Sequence, residues 1–205
     1  MSQIIYTFAL EMAKIGIYGG SFNPVHFGHI GLAKWVVEHT GLDEVWLMVS
    51  PNNPLKAQSQ LADERERLEG VKRAIKGIAG LRASDFEFGL PRPSYTANTL
   101  RELIKAYPEH QFSLVIGEDN WRIFNQWKEW EFIREHFPIF VYPRRDAKPP
   151  NVNANGAFGH SDISGHSGAS EHSGNIIFLT EAPYFDISST EIRRGGKNEE
   201  VRAKR

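Results

Sequence analysis

Two histidines three residues apart, His26 and His29, close a run that reads Gly19-Gly20-Ser21-Phe22-Asn23-Pro24-Val25-His26-Phe27-Gly28-His29. Glycines let backbone amides come close to a bulky anion, so Gly19 and Gly20 suit phosphate oxygens, and Gly28 removes a side chain between the two imidazoles. A helix beginning at Gly28 would add the positive end of its dipole. That combination can hold a polyphosphate. Near the other end of the chain, Ile187-Ser188-Ser189-Thr190-Glu191-Ile192-Arg193 places hydroxyls at a predicted helix start and an arginine fork in its first turns, which suits phosphate capture and ordinary helix capping alike. Between them, Ser50-Pro51-Asn52-Asn53-Pro54-Leu55-Lys56 ends in a lysine able to neutralise phosphate charge.

The elements that must position these residues follow from hydrophobic patterning. Lys14–Tyr18 is a short apolar run, expected as a strand that gives way to a turn at Gly19-Gly20, and the segment 28–40 is expected as a helix with Gly41 at its end. Strand Glu44–Val49 follows. Asp63 and Glu66 form a capping-box pair before Leu68, Val71, Ile75 and Ile78 at helical spacing. A third strand is expected over 81–86, a helix over 96–106 ended by Pro108, and a strand over 112–116 closed by Gly117. A Trp-rich helical stretch then leads to the strand Ile139–Tyr142. Alternating strands and helices imply parallel strands with right-handed crossovers, a doubly wound α/β fold, and the glycine-histidine run falls at the carboxyl end of the first strand, where open α/β sheets bind ligands.

At 205 residues the chain fits one domain, here taken as residues 14–196, with a 1–13 extension and a basic tail over 197–205. From 149 to 174 the composition shifts to Gly, Ser, Asn and His, the profile of a mobile surface insertion; order returns over 176–179. His160, His166 and His172 recur there every six residues, but no carboxylate or cysteine stands at ligand spacing, so no metal site is assigned. A net charge of −1 supplies no general attraction to nucleic acid or to an anionic membrane, which points to a small ligand and a locally organised site. With no cysteine, disulfides, thiolate metal sites and a cysteine nucleophile are excluded, and the cytoplasm is the expected location. The apolar stretch 4–10 is short and lacks a basic leader, which reads poorly as a signal peptide, and no run approaches the ~18 apolar residues of a membrane span. Self-association is left open.

His26-Phe27-Gly28-His29 resembles the H-x-G-H signature of the adenylyl- and cytidylyltransferase superfamily, and Gly19 to His26 is similar to the version found in nicotinate and nicotinamide mononucleotide adenylyltransferases of bacterial type. The resemblance runs in order from Lys14 to Arg193, the insertion apart, and its Ile187–Arg193 segment matches the family's Ile-Ser-Ser-Thr-x-Ile-Arg motif. It implies a Rossmann-like doubly wound sheet of nucleotidyltransferase type and a reaction in which ATP and nicotinate mononucleotide give nicotinate adenine dinucleotide and pyrophosphate, without a covalent enzyme intermediate. Roles carried over are catalytic for His26, His29 and Lys56. ATP binding falls to Gly19, Gly20, Ser21, Phe22, Gly28, Gly117, Asp119, Ile187, Ser188, Ser189, Thr190 and Arg193. The acceptor falls to Asn23, Ser94, Tyr95, Thr96, Trp127 and Lys128: Ser94-Tyr95-Thr96 begins a helix whose amides suit the nicotinate carboxylate, and Trp127 offers an indole face to the pyridine ring. Leu55 departs from the family's histidine, and Asn23 and Asn98 stand where the family often has Asp. Mg²⁺ is implied as the companion of ATP, held by phosphates and water. The rival readings are a related enzyme acting on phosphopantetheine and a nucleotide-binding protein without catalysis.

Overall fold

Parallel strands buried on both faces need apolar side chains in both directions, and β2 (Glu44–Val49) shows the consequence: Val45, Leu47 and Val49 enter one core while Trp46 and Met48 enter the other. The computed structural model describes residues 12–51, 61–143, 175–185 and 189–193. Its sheet has six strands in the order β3-β2-β1-β4-β5-β6, every neighbouring pair parallel. These are β1 (Lys14–Gly20), β2, β3 (Leu81–Ser84), β4 (Gln111–Gly117), β5 (Ile139–Tyr142) and β6 (Ile176–Phe178). The strand order reverses between β1 and β4, so their carboxyl ends, Gly20 and Gly117, flank the crevice where such sheets take ligands. The doubly wound expectation holds.

Helices cover both faces. On one, α1 (Phe27–His39) and α2 (Glu64–Ala74) bury Leu32, Val36, Leu68 and Val71 against Val45, Leu47 and Val115. On the other, α3 (Thr96–Ala106) and α5 (Trp130–His136) bury Leu100, Leu103 and Ile133 against Ile15, Ile17, Leu114 and Ile116. Asp63 caps α2, its Oδ1 accepting from the amides of Arg65 and Glu66.

Four boundaries differ from the sequence reading. Gly19 and Gly20 are not the turn: they stay in β1, paired with Met48 and Val49, and the left-handed residue is Phe22 (φ 43°). Its ring is buried and packs beneath Gly20, so tertiary packing holds a conformation that glycine would have adopted unaided. Helix α2 stops at Ala74, leaving Ile78 outside it. Strand β3 stops at Ser84, and Phe86–Gly89 forms a 3-10 turn. The Trp-rich stretch is broken into α4 (Glu118–Trp121), a 3-10 turn (Phe124–Gln126) and α5, with Glu129 at φ 55° between the last two. Lys56, Leu55, Ile187, Ser188, the insertion with its three histidines, the basic tail and residues 1–11 lie outside the described residues.

The last described segments are delivered to the site by one close contact. Gly31 of α1 faces Phe185, and a Cβ there would lie 2.5 Å from the ring's Cζ. Gly31→Leu should displace Phe185 and lower unfolding stability by about 1–3 kcal/mol, measured by chemical denaturation; an unchanged midpoint would show that this contact contributes nothing.

Candidate active site

The chain leaves β1 over the top of the sheet and re-enters at α1 with its backbone held by named donors. The Ser50 amide donates to the Gly20 carbonyl at 2.9 Å, tying the end of β1 to the end of β2. Arg67, reached from α2 and only 4% exposed, donates through Nη1 to the carbonyls of Ser21 (2.6 Å) and Ser50 (2.9 Å) and through Nε to that of Ala62 (3.0 Å). Burial pulls the Arg67 guanidinium below its ordinary pKa, and the charges of Glu64 and Asp63 oppose that shift. The Ala62 amide in turn donates to Asn23 Oδ1 at 3.4 Å. From the far end of the chain, Arg193 Nη1 donates to the Asn23 carbonyl and Ser189 Oγ to the Pro24 carbonyl at 2.9 Å. Arg193 Nη2 also donates to Thr190 Oγ1 at 3.2 Å. Ser189 and Arg193 thus meet the loop at Pro24 and Asn23, some 170 residues away, from a helix α6 (Ser189–Arg193) of only five residues.

The histidines stand where this loop becomes α1. His26 occupies the N-cap position and is buried, while His29 is half-exposed. Their rings stack with centroids 3.7 Å apart. The His26 amide donates to His29 Nδ1 at 3.3 Å, which makes Nδ1 the acceptor nitrogen and assigns the proton of the neutral ring to Nε2. The ring edge is thereby presented as a donor. Phe22 packs edge-on to His29 at 5.0 Å and Tyr18 lies at 6.1 Å, so aromatic walls fix the imidazole plane. Gly28 lies between them, buried in the first turn of α1.

Across the crevice, Gly117 ends β4 and Asp119 is exposed in the first turn of α4. A Cβ at Gly117 would lie 2.4 Å from Asp119 Oδ1 and 3.1 Å from the Tyr142 ring, so a side chain there would displace the Asp119 carboxylate. The neighbouring Glu118 turns inward and pairs with Arg122 at 3.2 Å. The hydroxyls of Tyr18 and Tyr142 meet at 3.2 Å.

The third group comes from two separate segments. Tyr95 is the N-cap of α3 and Thr96 its first residue, with the Tyr95 carbonyl accepting from the amides of Asn98 and Thr99. Lys128 Nζ sits 4.5 Å from the centre of the Tyr95 ring, which joins Ser94-Tyr95-Thr96 to Trp127-Lys128. Trp127 is half-buried beside Phe124, and its Nε1 has no partner among the described residues. Trp121 and Trp130 also pack on Phe124.

Sequence reasoning missed Arg67 and Glu87. Glu87, in the 3-10 turn after β3, is buried and accepts from Thr99 Oγ1 at 2.8 Å. Burial pushes its carboxyl above the usual range, while the hydroxyls of Thr99, Ser50 and Ser94 pull it back. Both residues lie among ordinary helix and loop polar residues in the sequence, and only their burial marks them.

An open parallel sheet with a histidine-bearing loop at its switch point defines a nucleotide-binding protein of the H-x-G-H nucleotidyltransferase class. The family model described as cytidylyltransferase-like matches residues 17–195. The chain is 44% identical to a probable nicotinate-nucleotide adenylyltransferase of Bacteroides fragilis over 90% of this chain and 82% of that one. It is 40% identical to one of Flavobacterium johnsoniae over 90% and 89%. Its fold matches the Plasmodium falciparum nicotinic acid mononucleotide adenylyltransferase complexed with NaAD, with a TM-score of 0.65 at 17% identity over 89% of this chain and 83% of that one. The chain belongs to the nicotinate-nucleotide adenylyltransferase family.

Because the Glu87 pKa is raised in the folded state, the native protein binds more protons than the unfolded chain once pH exceeds the unfolded value of about 4.3. Stability should therefore fall as pH rises from there through the folded pKa and then level off. Glu87→Gln should remove that slope in urea unfolding followed between about pH 4 and pH 8; parallel profiles for the two proteins would contradict it.

Proposed function

We propose that this protein transfers the adenylyl group of ATP to nicotinate mononucleotide, yielding nicotinate adenine dinucleotide and pyrophosphate in NAD biosynthesis. The observation that carries the reading is the His26–His29 pair: stacked, walled by Phe22, and placed at the start of α1 above the carboxyl end of β1. A phosphate oxygen of the acceptor attacks the α-phosphorus of ATP, a new P–O bond forms, and the bond to the bridging oxygen of pyrophosphate breaks with its electron pair. The acceptor phosphate is already nucleophilic at neutral pH, so the chain's work is alignment and charge stabilisation.

His29, through Nε2–H, and His26 donate to the charge that develops on the α- and β-phosphates, joined by Lys56. The backbone of Gly19, Gly20, Ser21 and Phe22, with Gly28 leaving room, cradles the phosphates. Gly117 and Asp119 face the nucleotide's ribose. Ile187, Ser188, Ser189, Thr190 and Arg193 share in ATP binding; the contacts of Ser189 and Arg193 with the Asn23–Pro24 backbone support that role for the two. On the acceptor side, amides at the start of α3 and the Ser94-Tyr95-Thr96 side chains receive the nicotinate carboxylate, Trp127 stacks on the pyridine, and Lys128 and Asn23 border the mononucleotide phosphate. The meeting of Lys128 with Tyr95 supports a single acceptor wall.

The residues around the histidines offer imidazoles, hydroxyls and amides, and among the described residues no three His, Asp or Glu side chains gather as a cation site. Mg²⁺ therefore fits here as the counter-ion of ATP, held by phosphate and water. When bound it supplies charge neutralisation on the leaving pyrophosphate. Among the described residues no helix is long and apolar enough to cross a membrane; the cytoplasm is the setting we assign.

The direct test is pyrophosphate release with Mg²⁺-ATP and, separately, nicotinate mononucleotide, nicotinamide mononucleotide or phosphopantetheine. Strong preference for the first is expected; turnover confined to another acceptor would overturn the assignment. His29→Ala should lower kcat by about two to three orders of magnitude with the fold intact; turnover equal to that of the parent protein would remove His29 from the mechanism. Trp127→Ala should raise KM for nicotinate mononucleotide far more than KM for ATP, whereas equal effects would assign the indole to packing alone.

A further inference from the structure

We infer that Glu87 is a positioning residue for acceptor binding: from the turn after β3, which lies against β2, it holds the first turn of α3 and so fixes the place of the acceptor wall. The inference rests on the acceptor assignment proposed above for Ser94, Tyr95 and Thr96. Glu87 itself is 8% exposed. From α3, Thr99 Oγ1 donates to its Oε1 at 2.8 Å. The hydroxyls of Ser94, just before that helix, and of Ser50, just after β2, oppose the effect of burial and favour its charged form. Oε2 of Glu87 and Oγ of Ser94 close no bond of ordinary geometry among the described residues, so Thr99 carries the one fully formed link.

The turn that carries Glu87 lies against β2, and the end of β2 is bound to the phosphate loop. The Ser50 amide donates to the Gly20 carbonyl, and the Ser50 carbonyl accepts from Arg67, whose same nitrogen holds the Ser21 carbonyl. Glu87 and Thr99 therefore stand between β2 and the helix start that carries Tyr95. Apolar packing alone would fix α3 against the sheet, since Ala97, Leu100 and Leu103 are fully buried. It would not fix the axial position of the helix start, because apolar contacts are non-directional. The directional bond from Thr99 to the buried Glu87 does so, and a buried carboxyl that loses its partner is costly, which penalises any slippage.

The test is steady-state kinetics of the full chain with Glu87→Ala, Glu87→Gln, Thr99→Val and Thr99→Ser. Thr99→Val, nearly isosteric, should raise KM for nicotinate mononucleotide about tenfold, the effect of one lost hydrogen bond to a charged group, while KM for ATP and kcat change less than about twofold. Thr99→Ser restores the hydroxyl and should recover most of the acceptor affinity, and Glu87→Gln should sit between Glu87→Ala and the parent protein. Proportional rises in both KM values, or a folded Thr99→Val with unaltered acceptor KM, would overturn the inference. If Glu87→Ala fails to fold, the Thr99 pair alone decides. The acceptor assignment is tested separately by the parent protein: should it use a different acceptor, that assignment fails, while the ratio of variant to parent is still read on the acceptor it uses.

Discussion

Backbone carbonyls at the carboxyl ends of parallel strands point toward the ligand crevice, where they would repel phosphate. In this protein the carbonyls of Ser21 and Ser50 are instead bound from below by the guanidinium of Arg67. Each such charge-assisted bond contributes about 1.5–3 kcal/mol, and together they determine where the loop can go. With Ser21 turned down toward Arg67, Phe22 is driven into its left-handed conformation and its ring enters the core beneath Gly20. The ring then becomes one wall for His29. The placement of the His29 ring is in this sense tied to the buried cation of Arg67.

The rest of the site is assembled by similar cross-links between distant segments rather than by any one motif. Arg193 and Ser189 bind the loop's outer carbonyls, and Phe185 against Gly31 brings their segment to α1. Lys128 meets the Tyr95 ring over the short turns that follow β4. The bonds made by Arg67, Ser189 and Arg193 share a chemistry: side-chain donors from helices satisfy loop carbonyls. Loops so held are pre-organised, which is what a reaction limited by alignment requires.

Much of this was legible in the sequence, because the strands and helices obey strong periodicities and because the histidine run and the Ser-Ser-Thr stretch belong to a recognisable family. The doubly wound sheet, α1 and α3 agree with that reading. Where it went astray, local preference lost to tertiary packing. Gly19 and Gly20 look like a turn but remain in the β1 ladder, and the strained residue is a phenylalanine paid for by burial. The Trp-rich stretch looks helical, yet its three indoles all converge on Phe124, which a continuous helix could not achieve. Arg67 and Glu87 were invisible for the opposite reason: charged residues are normally exposed, and nothing local distinguishes a buried one.

If this account is right, the protein lowers the barrier by holding two phosphates in line, with no adenylylated side chain on the way. The stereochemical course at the α-phosphorus tests that most directly, using adenosine 5′-O-(1-thiotriphosphate) of a single configuration and nicotinate mononucleotide as acceptor. A single in-line displacement predicts inversion of configuration in the dinucleotide product. Retention would require two displacements, and with them a covalent intermediate that this arrangement of His26 and His29 is not proposed to form.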